Sequence, residues 1–243
     1  MSDKSIKVVP DAKALAQSAA ERTVVIASQA IAERGRFSIA LSGGSTPKAL
    51  FELLASDAYV RTIDWPHWEI YFGDERCVPP THPDSNFRMA SEALLDHVPL
   101  KPENIHRMKG EMEPNQAAVE YGKMLKEKFG PGGLDLILLG MGDDGHTASL
   151  FPGTSALDET DHRCIANFVP KLNVWRITMS APFINRARNV MILVGGKSKT
   201  QRLAEVLEGP RDPKRLPIQL IEPSSGHLLW LLDADAAGMT SEE

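Results

Sequence analysis

The sequence predicts an α/β fold with a mostly parallel sheet and helices on both faces. Three observations predict it. Apolar strand-like runs alternate with amphipathic helix-like stretches, the order expected when crossover helices cover a parallel sheet. The 243 residues suit one large α/β domain, and no linker, repeat or low-complexity tract divides them, so 1–243 is read as a single domain. Four runs also end in unusual loops: "SGGSTP" at 42–47, "GDERCVPP" at 73–80, "GMGDDGH" at 140–146 and "GGKSK" at 195–199. Parallel strands would gather all four at one sheet edge, outside the carboxyl ends of the strands, where open α/β sheets bind their ligands.

Taken in order, a strand is expected near 5–9 and a long helix over 11–34. A second strand at 38–41 runs into Ser42, Gly43, Gly44, Ser45 and Thr46. Thr46 suits an N-cap and Pro47 a first helical position, where a missing N–H is harmless. Leu50, Phe51, Leu53 and Leu54 then give a helix over 47–56 its buried stripe. A strand at 68–72 is followed by the charged loop Asp74, Glu75 and Arg76, and Ser85-Asn86 opens a helix over 86–97. Beyond it come a helix at 114–129, strands at 135–139, 164–169, 176–180 and 189–194, a helix at 198–208 and a strand at 228–232. The least regular part is 151–187, which carries Pro152, Pro170 and Pro182; the terminal "DADAAGMTSEE" reads as frayed.

Composition narrows the function. A net charge of −5 argues against nonspecific nucleic-acid binding, yet leaves room for a small anionic substrate that needs only local donors. No apolar run reaches the roughly 18 residues of a membrane span. The beginning, "MSDKSIKVVPDAKALAQSAA", lacks the apolar core of a signal peptide, and a cytoplasmic location is expected. Cys77 and Cys164 offer neither a disulfide framework nor zinc spacing, and no two histidines have ligand spacing, so no metal and no cofactor are expected.

The loops suggest chemistry. Two glycines and three hydroxyls at a helix start suit an anion, because glycine permits close backbone approach and first-turn N–H groups are free; a plain strand-to-helix turn is the alternative. Arg76 suits an anionic group and Asp74 the orienting of a partner, although a charged trio at a strand end is often only a solvated loop. Gly140, Gly142 and Gly145 match the dinucleotide pattern G-x-G-x-x-G. Asp143 and Asp144 would repel a pyrophosphate there, and Pro152 comes too soon for a long supporting helix. "GGKS" resembles the end of a P-loop, but Met191 stands where its first glycine belongs. Lys197 is still a candidate contact for a single phosphate. His146 follows a glycine-rich turn at a strand end and has the side chain suited to proton transfer near neutral pH. His67, His82, His97, His106, His162 and His227 lack that setting.

"ALSGGSTPKALFELL", "YFGDERCVPPTHPDSNFRMASEALL", "LDLILLGMGDDGHTASLFPG" and "RITMSAPFINRARNVMILVGGKSK", in this order, resemble the 6-phosphogluconolactonases of the glucosamine-6-phosphate isomerase/6-phosphogluconolactonase family. The resemblance runs nearly the whole chain. It implies a Rossmann-like α/β fold and hydrolysis of 6-phospho-D-glucono-1,5-lactone in the oxidative pentose phosphate pathway, with His146 as general base. The deaminases of the same family carry a glutamate five residues after that histidine, where this chain has Phe151, and methionine-aspartate-glutamate where it reads "GDER". A sugar-phosphate sensor is a further alternative. The expected site is therefore His146 and Asp74 for catalysis, with Ser42, Gly43, Gly44, Ser45, Thr46, Arg76, Asp144 and Lys197 binding substrate, N–H groups near Gly142 and Gly145 stabilising an oxyanion, and Asn86 and Arg176 as weaker candidates. The oligomeric state is left open.

Overall fold

A computed structural model describes residues 3–239. Six parallel strands form the main sheet: β1 (Asp3–Val9), β2 (Phe37–Leu41), β3 (Trp68–Phe72), β5 (Leu136–Gly140), β8 (Asn189–Val194) and β9 (His227–Asp233). They lie in the order β1-β9-β8-β5-β2-β3. A second, three-stranded antiparallel sheet holds β4 (Asp74–Arg76), β7 (Val174–Met179) and β6 (Cys164–Val169), in that order. The helices are α1 (Ala12–Arg34), α2 (Ser45–Leu54), α3 (Asp57–Val60), α4 (Asn86–Ala93), α5 (Pro114–Phe129), α6 (Ala181–Ile184) and α7 (Thr200–Leu207).

Every residue of β2 and the first four of β5 are buried. Successive strand residues point to opposite faces, so unbroken burial means that both faces are covered. Phe37, Trp65 and Trp68 interlock at one end of the core, with ring centroids 4.7 Å apart. The buried Asp135 carboxylate accepts from Ser38 N and Oγ, joining the beginnings of β2 and β5. Among the described residues no helix is long and apolar enough to cross a membrane.

The parallel strands and the shared edge of the four loops agree with expectation, and five features differ. The runs at 164–169 and 176–180 leave the main sheet for the antiparallel one; an apolar run has the same pattern in either setting. Asp74, Glu75 and Arg76 are a strand rather than a solvated loop, with Asp74 and Glu75 buried. The N-cap of α2 is Gly44 and not Thr46. Gly44 has φ of +104°, open to glycine alone, so the helix begins two residues early and Pro47 falls in its first turn. The stretch 86–97 ends as an α-helix at Ala93 and closes in a 3₁₀ turn, and a 3₁₀ turn likewise precedes α7. Asp233 is not frayed: its carboxylate accepts from Gly196 N and Ala236 N, fixing the loop after β8. Residues 240–243 of that terminal stretch lie outside the described residues.

Candidate active site

The chain turns from β2 to β3 on one side, and β5 lies on the other side of β2. Loops leaving β2 and β5 therefore diverge and open a crevice at the strand ends. A cleft of about 200 Å³ lies there, lined by Ser42, Gly43, Gly44, Asp74, Arg76, Asn86, Gly142 and His146, together with Gly140, Met141, Thr147 and Ala148. Larger hollows of about 490 and 450 Å³ open beside α1 and the amino ends of β8 and β9. Neither is lined by any of the four strand-end loops or by the His146 pair described next, so size does not choose the site.

Asp144 sits behind His146. Its Oδ1 lies 2.5 Å from His146 Nδ1 and also accepts from His146 N. An ionised carboxylate holds the proton on Nδ1, which leaves the Nε2 lone pair as the basic position. No hydrogen bond to Nε2 exists among the described residues, and His146 lines the cleft. The hydrogen bond from His146 holds the Asp144 carboxyl well below the usual carboxylate range, against the opposing effect of burial. Lys171 Nζ, 3.4 Å from Asp144 Oδ2, acts in the same direction. A carboxylate whose folded pKa lies below its unfolded value of about 3.9 adds stability that is complete above that value and is lost as pH falls through the folded one. Asp144→Asn should therefore flatten the acid limb of the stability curve below about pH 4, measured as urea midpoints across pH. Equal acid limbs in both proteins would contradict this.

The glycines have different tasks. A Cβ on Gly142 would lie 2.1 Å from both Cε1 and Nδ1 of His146, so the imidazole rests directly on this residue. A Cβ on Gly43 would lie 2.1 Å from Asn86 Oδ1. The expected oxyanion donors are already used: Gly142 N donates to His146 O and Gly145 N to Gly142 O. Among the described residues, the N–H groups of Gly43 and Gly44 are the cleft-lining ones without such a partner at the α2 terminus.

Asp74 accepts from Ser149 Oγ at 2.7 Å, and Asn86 Nδ2 donates to its carbonyl at 3.0 Å. Glu75 faces away and anchors the start of α4, accepting from Ser85 Oγ and from the N–H groups of Arg76, Asn86 and Phe87. Burial nevertheless pushes its carboxyl above the ordinary range. Arg176 is brought near the site because β7 runs antiparallel to β4, which makes it the direct cross-strand partner of Arg76. Burial, and then the charge of Arg76, lower its pKa from the ordinary value. Like charges facing each other across a ladder are destabilising, and an anion between them would remove that cost.

Ser45, Thr46, Gly145 and Lys197 do not line the cleft. From the 195–199 loop it is Lys199, rather than Lys197, that reaches the 140–146 loop, paired with Asp143. Sequence reasoning passed over Thr147, Ala148, Ser149 and Lys199, and gave Phe151 no part in the site. Phe151 stacks on His146 with centroids 4.0 Å apart and planes 21° apart. Its only signal was its place five residues beyond the histidine.

Comparison with known proteins decides the family. The model described as glucosamine-6-phosphate isomerases/6-phosphogluconolactonase matches residues 10–230. The chain belongs to this family. A 6-phosphogluconolactonase of Nostoc is 42% identical over 244 residues, covering 98% of this chain and 99% of the relative. One from Synechocystis is 46% identical over 215 residues, covering 86% and 87%. Among solved structures, the 6-phosphogluconolactonase of Trypanosoma brucei superposes with a TM-score of 0.86 at 28% identity, over 98% of this chain and 99% of that one. A monomeric glucosamine-6-phosphate deaminase shares the fold, with a TM-score of 0.81 at 20% identity.

Proposed function

We propose that this protein hydrolyses 6-phospho-D-glucono-1,5-lactone to 6-phospho-D-gluconate, with His146 as the general base. The observation that carries this reading is the Asp144–His146 pair, which leaves one unpaired imidazole nitrogen at a cleft. The family relatives named 6-phosphogluconolactonase support the choice of substrate.

The chemistry follows from that nitrogen. Nε2 takes a proton from water as its oxygen attacks C1 of the lactone. Asp144 stabilises the imidazolium that forms. Negative charge collects on the former carbonyl oxygen, and the proton returned by the imidazolium relieves it as the ring opens. As the C1–ring oxygen bond breaks, the imidazolium returns its proton to the departing ring oxygen. The sum is one water added and one ester bond opened. Asp74, fixed by Ser149 and next to Asn86, orients the sugar hydroxyls or the water.

The phosphate has two sources of attraction. The start of α2 presents N–H groups and the positive end of its dipole. Arg76 and Arg176 supply charge from the small sheet. Arg176→Gln is expected to raise KM for the phosphorylated lactone about tenfold or more, the scale of one hydrogen bond to a charged group. It should leave the slow turnover of unphosphorylated glucono-1,5-lactone unchanged. Measuring KM for both lactones checks this, and an equal change for both would remove phosphate recognition from Arg176.

A further inference from the structure

We propose that Phe151 is a positioning residue for His146, its ring holding the imidazole in the one plane from which Nδ1 meets Asp144 and Nε2 meets the cleft. The inference rests on the reading of His146 as the base. A hydrogen bond from Nδ1 to Asp144 fixes one atom of the ring but leaves it free to swing about that contact. A flat surface parallel to the imidazole removes the swing. Phe151 provides it, stacked at 4.0 Å with 21° between the planes, while Gly142 bounds the same ring closely enough to exclude a Cβ.

The chain is bent to achieve this. Ala148 has φ of +47°, the left-handed region that side-chain-bearing residues disfavour. The turn it makes is closed by Leu150 N donating to Thr147 O. The reversal sends Ser149 to Asp74 and brings Phe151 back over His146, five residues behind it in the chain. Phe151 is then held from beyond, its carbonyl accepting from Thr154 Oγ1. It is only 7% exposed, so the ring also closes one face of the imidazole to water. Strain of this kind persists where the surroundings over-determine it, and it collects at functional sites. Both residues that the turn delivers, Ser149 and Phe151, touch groups assigned to the chemistry.

The test compares Phe151→Leu, which keeps apolar bulk without a flat face, with Phe151→Tyr, which keeps the ring. Lactone turnover should fall about tenfold to a hundredfold in kcat for the leucine variant, the scale of a slightly misplaced catalytic group. KM should change by less than about twofold, since substrate binding is untouched. The tyrosine variant should recover most of the loss. Independently of turnover, ring ¹⁵N shifts of His146 should report one tautomer, protonated on Nδ1, in the wild type and the tyrosine variant, and averaged signals in the leucine variant. Phe151→Met, whose unbranched and flexible side chain adapts to the space left by the ring, serves in its place if the leucine variant does not fold. Unchanged kcat in a folded variant without the ring, or identical ¹⁵N signatures in all proteins, would overturn the proposal. Wild-type protein that fails to accelerate lactone opening would overturn the lactonase reading instead, and the ¹⁵N comparison would still decide the role of Phe151.

Discussion

His146→Ala should lower kcat for the phosphorylated lactone by about 10²- to 10⁴-fold, the contribution of a positioned general base. KM should move little, because no phosphate donor is lost. The fold should survive as well: the imidazole is partly exposed at the end of a loop, and the main sheet does not depend on it. Removing it leaves Asp144 without its strongest hydrogen bond, but Lys171 remains within reach. Near-wild-type kcat in a folded His146→Ala protein would move the base elsewhere, with buried Asp74 as the next carboxylate in the cleft.

Gly142→Ala should come close to the same loss without touching a chemical group. A methyl at this position would overlap the imidazole at Cε1 and Nδ1, both 2.1 Å away. Real Cβ atoms are not found at that separation, so the ring must turn or shift. Either movement breaks the 2.5 Å contact with Asp144 and withdraws Nε2 from the cleft. Misplacement of about 1 Å can cost on the order of 10²-fold, and this is the fall expected in kcat. Backbone strain adds nothing, because Gly142 is not among the glycines with positive φ. Thermal unfolding should change far less than activity. Wild-type kcat in this variant would show that His146 does not need the position it occupies.

The parts of this molecule readable in advance were those governed by periodicity and by loop chemistry. Apolar runs at β2, β3, β5 and β8 marked a parallel sheet, and their glycine-rich or charged ends marked one edge of it. From there Gly43, Gly44, Asp74, Arg76 and His146 fall at one sheet edge, and the folded chain gathers them around one cleft. What stayed hidden depended on contacts distant in sequence or on unusual backbone angles. Asp74-Glu75-Arg76 looks like a solvated turn because charge dominates its composition. It becomes a buried strand only because α4 supplies N–H groups to Glu75 and β7 pairs alongside. Thr46-Pro47 imitates a helix start, while the actual cap relies on a backbone angle open to Gly44 alone. The stack of Phe151 on His146 was out of reach for a similar reason. It needs a left-handed Ala148, and nothing about alanine announces that conformation. The pairing of Asp144 with His146 was half-visible, as two neighbours in one loop whose mutual geometry only the folded turn defines.

The most direct test of the central claim follows the decay of freshly made 6-phospho-D-glucono-1,5-lactone by NMR at mildly acidic pH, where its spontaneous opening is slow enough to subtract. Three samples suffice: no protein, wild type, and His146→Ala. The account predicts rapid formation of 6-phospho-D-gluconate with wild type and a rate close to the protein-free one with the variant. Lactone decay that wild-type protein does not accelerate, with glucosamine 6-phosphate consumed under the same conditions, would contradict it.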